Sequence, residues 1–349
     1  MAAVSRYASA EVILPDPSEA PHEYAREVIA LSQRLSLQAI LPITEASALA
    51  LLNVPDQLGH LIPMPPLSVF RAVCDKAHVL EVAKLLGIRT PAQYVVTDPS
   101  TCHADIATPV VLKPARSVNH TETGTTVKVS VQWARTEVEL HRKLAEFPPA
   151  AFPVLAQEVI TGPGIGVFVL MQDGMVRAAF GHQRIREKPP SGGVSVLRRS
   201  LPVPAELLEK TSDLLRCLEW TGVAMVEYKR DVRTGDHVLM EINGRFWGSL
   251  QLAIDSGIDF PRLLMNAHEG LPIEQPPCKP TISRWFWGDV DHLLAVWRDP
   301  LTPASLRMDT LLGFLKAFGP RYKEEVFRWT DPLPFLMESW RWLTPFVAR

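Results

Sequence analysis

Two carboxylates that face each other across a short hairpin constrain this chain more than any other feature. The runs Val226-Glu227-Tyr228-Lys229-Arg230 and Leu239-Met240-Glu241-Ile242-Asn243 flank a polar connection holding Asp231, Thr234, Gly235 and Asp236, the composition a hairpin loop needs. With the loop centred near Thr234, Glu227 and Glu241 are each seven residues away and fall opposite one another. Opposed Cβ atoms lie about 4.5–5.5 Å apart. Two carboxylates that close repel by roughly 3 kcal/mol at an effective dielectric of about 20. Glu241, Asn243 and Arg245 alternate along the second strand, so they leave one face. A cation between the carboxylates relieves the repulsion. Two carboxylates and an amide oxygen are hard ligands suited to Mg²⁺ (or Mn²⁺), with water and phosphate completing the shell. The Arg245 guanidinium then suits a phosphate oxygen. The plainer alternative is a solvated hairpin of mixed charge; the apolar neighbours Val223, Ala224, Met225, Leu239, Met240, Phe246 and Trp247 argue against it.

A chain of 349 residues holds two or three lobes. With 21% charged residues and a net charge of −2, it shows no global preference for nucleic acid or membrane. No apolar run approaches the roughly 20 residues of a membrane span; the longest, around Ile165 to Met171, suits a buried strand. Nothing at the amino terminus reads as a secretory signal. Cys74, Cys102, Cys217 and Cys278 are scattered without CxxC spacing, which points to reduced thiols in a cytoplasmic protein.

Along the chain, apolar runs at 11–14 and 39–43 alternate with helical spacing at 24–35 and 46–52, the pattern of a small parallel α/β layer that begins mid-domain. A helix is predicted over 75–86, with Gly87 placed as its C-cap. Strands are predicted at 94–96, 110–114, 126–131, 155–160, 167–171 and 175–180, the last two joined by a tight Asp173-Gly174 turn. Helices follow at 136–146, 204–220, 249–257 and 260–269. Beyond residue 275 the chain is rich in tryptophan and proline and reads as a helical appendage packed on the body. An exposed aromatic and basic face for a membrane or partner is the alternative there.

Four further pieces carry chemistry. Lys113 closes an apolar strand before a polar loop, where a compact positive charge meets a phosphate, and Lys76 stands at the head of a helix. Each is otherwise a surface lysine. Glu158 precedes a glycine-rich bend, as an acceptor in an interlobe crevice or as an edge-strand carboxylate. The stretch 181–194 is basic and then turns on Gly192 and Gly193. It reads as an anion clamp using Arg184 and Arg186, or as a solvated loop, with His182 structural. Gly162, Gly164 and Gly166 precede no helix, which disfavours a dinucleotide fold.

In chain order these pieces resemble the ATP-grasp superfamily, nearest the carbamoyl-phosphate synthetase and biotin carboxylase type, over about residues 70–270. The matching parts are Asp75-Lys76 with Gly87-Ile88-Arg89-Thr90-Pro91, Lys113-Pro114, Gln157-Glu158-Val159-Ile160, and Glu227, Glu241, Asn243, Arg245. The resemblance implies an α+β fold: residues 71–155 as a small lobe and 156–275 as a large lobe, with a truncated α/β domain at 1–70 and a helical segment at 276–349. It implies Mg-ATP, γ-phosphoryl transfer to a carboxylate, and capture of the acylphosphate by an amine or thiol. Glu227, Glu241 and Asn243 would hold the metal. Lys76, Lys113 and Arg245 would hold phosphates, and Glu158, Val159 and Ile160 adenine. Arg245, Lys113 and Arg186 would act in the chemistry, with Arg184, Arg186, Gly192 and Gly193 on the substrate. Small-molecule carboxylates and amines are the implied partners, with a homodimer as the default assembly. A regulatory ATP-binding module without catalysis and a biotin carboxylase-like enzyme are the alternatives. Two departures stand out: the loop after Lys113 holds only Gly124, and the amino-terminal layer lacks its first β-α unit.

Overall fold

The computed structural model describes residues 2–99, 106–120, 126–127 and 129–347; Cys102 and Gly124 lie outside them. Five helices come first: α1 (Pro21–Leu35), α2 (Glu45–Leu52), α3 (Pro55–Leu58), α4 (Leu67–Cys74) and α5 (Lys76–Leu85). The expected strands at 11–14 and 39–43 do not form. Extended apolar segments become strands only when a neighbour completes their hydrogen bonds. Ile13 is 94% exposed, and Ile40 donates to Leu61 O without a ladder following. The amino-terminal region is therefore helical and not a parallel α/β layer. Further on, α5 starts at an Asp75 cap that accepts from His78 N and ends at Gly87, whose φ of +68° lies in the left-handed region.

A small four-stranded antiparallel sheet follows, ordered β1 (Gln93–Val96), β6 (Val154–Glu158), β2 (Val110–Pro114), β5 (Gln132–Ala134). The short ribbon β3 (Asn119–His120) and β4 (Thr126–Val127) stands apart from it, and α6 (Glu137–Glu146) packs on it. Of the single strand expected over 126–131, the described residues form only β4 at 126–127, and β5 begins beyond it at Gln132.

The large sheet contains β7 (Gly164–Gln172), β8 (Met175–Lys188), β9 (Val194–Leu201), β10 (Gly222–Arg230), β11 (His237–Asn243), β12 (Ile282–Arg284) and β13 (Tyr322–Glu324). Its order is β11-β10-β7-β8-β9-β12-β13, antiparallel except for the last pair. Alternation sorts its residues cleanly. Val167, Val169, Ala224, Val226 and Tyr228 face α1, α2, α4, α5 and α7 (Ala205–Cys217), whereas Phe168, Leu170, Val223 and Met225 face α8 (Leu250–Asp255) and α9 (Phe260–His268). Glu227 continues the Met225 side, toward the crevice between the sheets.

The segment 181–194, read as an anion clamp or a solvated loop, consists of the end of β8, a turn and the start of β9. The segment after 275 does more than append helices α10 (Phe286–Arg298), α11 (Ala304–Lys316) and α12 (Leu333–Val347). It also lays β12 and β13 on the sheet edge. Helix α12 turns Trp342 onto Trp287, with ring centroids 4.2 Å apart, and leaves Leu336 and Trp340 exposed.

On β13, Glu324 accepts from Phe286 N and Val326 N, and burial pushes its carboxyl up to about 7. The native state then holds a proton that the unfolded chain has released, so stability falls as pH climbs from the ordinary carboxylate range through 7. Glu324→Gln keeps the accepting oxygen and removes the buried charge. It should stabilise the protein by about 2 kcal/mol at pH 8 and have no such effect at pH 4, once residual solvent contact is allowed for. Urea titrations at the two pH values check this; a difference independent of pH contradicts it.

Candidate nucleotide and metal site

A row of directly opposed residues crosses one face of the large sheet: Glu241, Glu227, Gly166, His182 and Ser200. Counting outward from Thr234 places the two carboxylates opposite each other, and the register pairs them so. Immediately beyond, a bulge sets Tyr228 against Leu239 and leaves Met240 without a partner of its own. Gly166 keeps the row open, because a Cβ there would fall 2.7 Å from Phe168 Cζ and 2.9 Å from His182 Nε2. The His182 ring is buried edge-on against Phe168, with Nδ1 3.1 Å from Ser249 Oγ and no described partner for Nε2. Burial, with Arg184 and Arg198 adding to it, pulls its pKa well below the usual value, so the ring is neutral.

Cations converge on the carboxylates. Lys76 Nζ donates to Ser117 Oγ at 2.9 Å and lies 3.6 Å from Glu241 Oε2. Lys113 Nζ is 3.5 Å from Met240 O, and burial pulls its ammonium down to about 8, helped by Lys76 and Lys229 against Glu241 and Glu227. Asn243 Nδ2 donates to Glu241 Oε1 at 3.3 Å, and Arg245 Nη2 lies at the same distance from Asn243 Oδ1. Burial would raise Glu241, but Lys76, Lys113 and Asn243 overcome it and hold that carboxyl low. Glu227 moves the other way: burial and the neighbouring carboxylates lift it, although Arg184 opposes. The pair therefore divides its protons unequally.

A cavity of about 450 Å³ opens over this row between the two sheets. It is lined by Lys113, Glu158, Val159, Ile160, Arg184, Gly192, Gly193, Glu227, Glu241, Asn243 and Arg245. Of the residues assigned a metal, phosphate, adenine, catalytic or substrate role from the sequence, Lys76 and Arg186 are the two that do not line it. Lys76 stands behind Glu241. Arg186 is turned away altogether, donating at 2.6 and 2.7 Å to both carboxylate oxygens of buried Asp289 on α10. The cause is a bulge at Ile185: Arg184 opposes Arg198 while Arg186 opposes Leu197, and adjacent β9 residues leave opposite faces. Arg186 is therefore corrected from a catalytic and substrate residue to a structural one.

Arg184 does face the cavity, but its Nη2 lies 2.6 Å from Glu227 Oε2, and its Nη1 donates to Glu187 Oε1 and Gly193 O. Glu158 is committed to Arg233 at 2.7 Å and to Ala92 N; the Arg233 bond first of all holds its carboxyl below the usual range. The backbone and apolar side chains around it, Val159 and Ile160 with Met225 and Met240, form the slot.

Lys229, Trp133 and Trp247 also line the cavity and were missed. Lys229, whose Nζ donates to Ile160 O at 3.0 Å, could have been found by alternation from Glu227. Trp133 and Trp247 gave no local signal.

Among the described residues no group of three or more His, Cys, Asp or Glu is arranged to hold a metal. The candidate set is leaner, two carboxylates and an amide. That set suits a hard divalent ion whose remaining positions are open to phosphate and water. The repulsion that helps lift Glu227 is what such an ion would relieve.

Residues 151–286 match a family model described as ATP-grasp in the biosynthetic pathway with Ter operon. No curated protein matches by sequence. Among solved structures, an L-amino acid ligase from Bacillus licheniformis aligns at 16% identity over 79% of this chain and 68% of its own, with TM-score 0.62. A biotin carboxylase from Campylobacter jejuni, complexed with a β,γ-ATP compound, aligns at 16% identity over 79% and 66%, with TM-score 0.62. The biotin carboxylase domain of a Hydrogenobacter thermophilus 2-oxoglutarate carboxylase, solved with MgADP and bicarbonate, aligns at 17% identity over 78% and 63%, with TM-score 0.59. The chain thus spans only about two thirds of these proteins' lengths. No helix among the described residues is long and apolar enough to cross a membrane. ATP-grasp is the fold of this chain, and residues 151–286 match its family model.

Proposed function

We propose that the protein is an ATP-dependent carboxylate–amine (or carboxylate–thiol) ligase that works through an acylphosphate. The observation that carries this reading is the opposed Glu227–Glu241 pair, ringed by Lys76, Lys113 and Arg245 at one end of an apolar slot. Apolar walls at Val159, Ile160, Met225 and Met240 suit a purine, while the charged end suits a triphosphate. Phosphoryl transfer needs positioning and charge neutralisation more than a protein nucleophile. Lys113 and Arg245 supply fixed positive charge beside the transferred group, and Lys76 keeps Glu241 ionised. Glu227, Glu241 and Asn243 would hold a divalent ion, which when bound neutralises phosphate charge. Arg184 then exchanges its ion pair with Glu227 for an anion of the substrate. The ligase among the similar structures agrees with this reading, as does the MgADP in another.

The test incubates the protein with Mg-ATP, pooled carboxylates and hydroxylamine, and assays ADP and hydroxamate. Both products are expected, both disappearing when the divalent ion is chelated and returning with Mg²⁺ or Mn²⁺. ATP binding with neither product would point to a non-catalytic module.

A further inference from the structure

Helix α12 turns the wrong side outward for a helix that only packs on a body. A surface helix ordinarily buries its apolar stripe and gives its polar residues to water. Here Glu338 and Ser339 face the protein, where they accept from Trp285 Nε1 and Trp287 Nε1 at 2.8 Å. The outward stripe is Leu333, Leu336, Trp340 and Leu343, spaced three and four apart and all exposed, Trp340 by 67%. Helix α11 behaves alike: no residue of it is buried, and Met308, Leu312 and Leu315 are exposed along one side. The two helices meet at Phe286, whose ring contacts Phe314 of α11, Phe318 just beyond it and Phe335 of α12. Between them Trp329 stands 90% exposed beside Phe327. Apolar surface gathered in this way marks a binding face.

The charge around this face decides what covers it. Most carboxylates of the segment are committed within the protein. Asp289 and Asp291 hold Arg186 and Lys188, and Glu325 holds Arg198. Asp331 accepts from Ser5, and Glu324 from Phe286 N. Among the described residues of 286–347, only Asp299 and Asp309 remain as exposed carboxylates. Arg298, Lys316, Arg321 and Arg341 are all exposed, so the outward charge is positive. A second copy on this face would set these cations against their own equivalents across a two-fold axis. An anionic bilayer attracts each of them and accepts tryptophan at its headgroup level. At 13 and 15 residues, α11 and α12 are too short to span a bilayer but long enough to lie in its interface. We infer that α11, α12 and the Trp329 turn form a docking face for an anionic lipid surface. Trp329, Leu336 and Trp340 then sit at the headgroup boundary, and Lys316, Arg321 and Arg341 meet the lipid anions. The inference does not depend on the ligase reading.

The full chain is floated, without nucleotide, with vesicles of phosphatidylcholine alone or of equal parts phosphatidylcholine and phosphatidylglycerol. It should float with the anionic vesicles, less as salt rises, and not with the neutral ones. A blue shift of tryptophan emission should accompany binding. Lys316→Ala combined with Arg341→Ala should weaken binding about thirtyfold. Trp340→Ala should weaken it by about tenfold or more. Arg142→Ala, which removes an exposed cation beside Glu146 on α6, should leave it unchanged. All four positions are exposed, so the unfolding midpoints should match that of the parent. The inference is overturned if anionic vesicles do not carry the chain, if neutral vesicles carry it equally, or if the Lys316 and Arg341 double variant binds as the parent does. It is overturned as well if the lipid-free chain sediments as a dimer that Leu336→Asp dissociates, which would give the face to a second copy.

Discussion

Glu241→Gln should lower the rate of ADP formation by about a thousandfold or more, the scale seen when one preorganised electrostatic contact is removed from an active centre. The substitution changes almost no volume and keeps one oxygen for Asn243, whose Nδ2 reaches Glu241 Oε1 at 3.3 Å. What it removes is charge. Lys76 loses a partner 3.6 Å away and keeps its bond to Ser117, while Lys113, already pulled down to about 8, loses the strongest influence holding it protonated. The loss should fall on turnover more than on ATP affinity, because the slot at Val159, Ile160 and Met225 is untouched. Turnover measured across a Mg²⁺ series, alongside unfolding midpoints, makes the check. Activity within tenfold of the parent in a folded variant would sink the assignment of this pair.

Asp289→Ala should have the largest effect on stability, roughly 3–5 kcal/mol, because it strands buried positive charge. Asp289 is fully buried and receives Arg186 through both oxygens and Arg284 Nε at 2.7 Å. Arg284 is itself buried, stacked over Phe314 at 4.2 Å and Phe318 at 4.5 Å. Neither guanidinium can shed its proton to escape. Denaturant titration should show a lower midpoint at unchanged slope. A loss under about 1 kcal/mol would mean that water reaches the cluster and that the pairing is a surface contact.

The hairpin could be read from the chain because its information is local: a loop, two runs and an equal count on each side of Thr234. The helix over 76–85 was legible for the same reason, with its cap and its glycine both in sequence. Arg186 was not. Two arginines spaced by two look like neighbours on one face, and only the partner strand shows that Ile185 is an inserted residue. Runs 11–14 and 39–43 have strand composition, but a strand is a property of a pair, and nothing in the sequence said that no partner would come. The reverse error hid β12 and β13, each three residues long and too short for any period to show.

The edge strands have a consequence for the order in which the molecule is made. Arg198 on β9 is buried and takes its counter-charge from Glu325, just past β13. By the time β11 leaves the ribosome, every strand around the nucleotide crevice exists, yet Arg198 still has no carboxylate. At roughly 5–20 residues per second, that partner arrives about 6–25 s after the arginine itself. The nascent half that forms the crevice therefore waits, with an open sheet edge and an unneutralised charge, for the segment from β12 to Glu325 to close it.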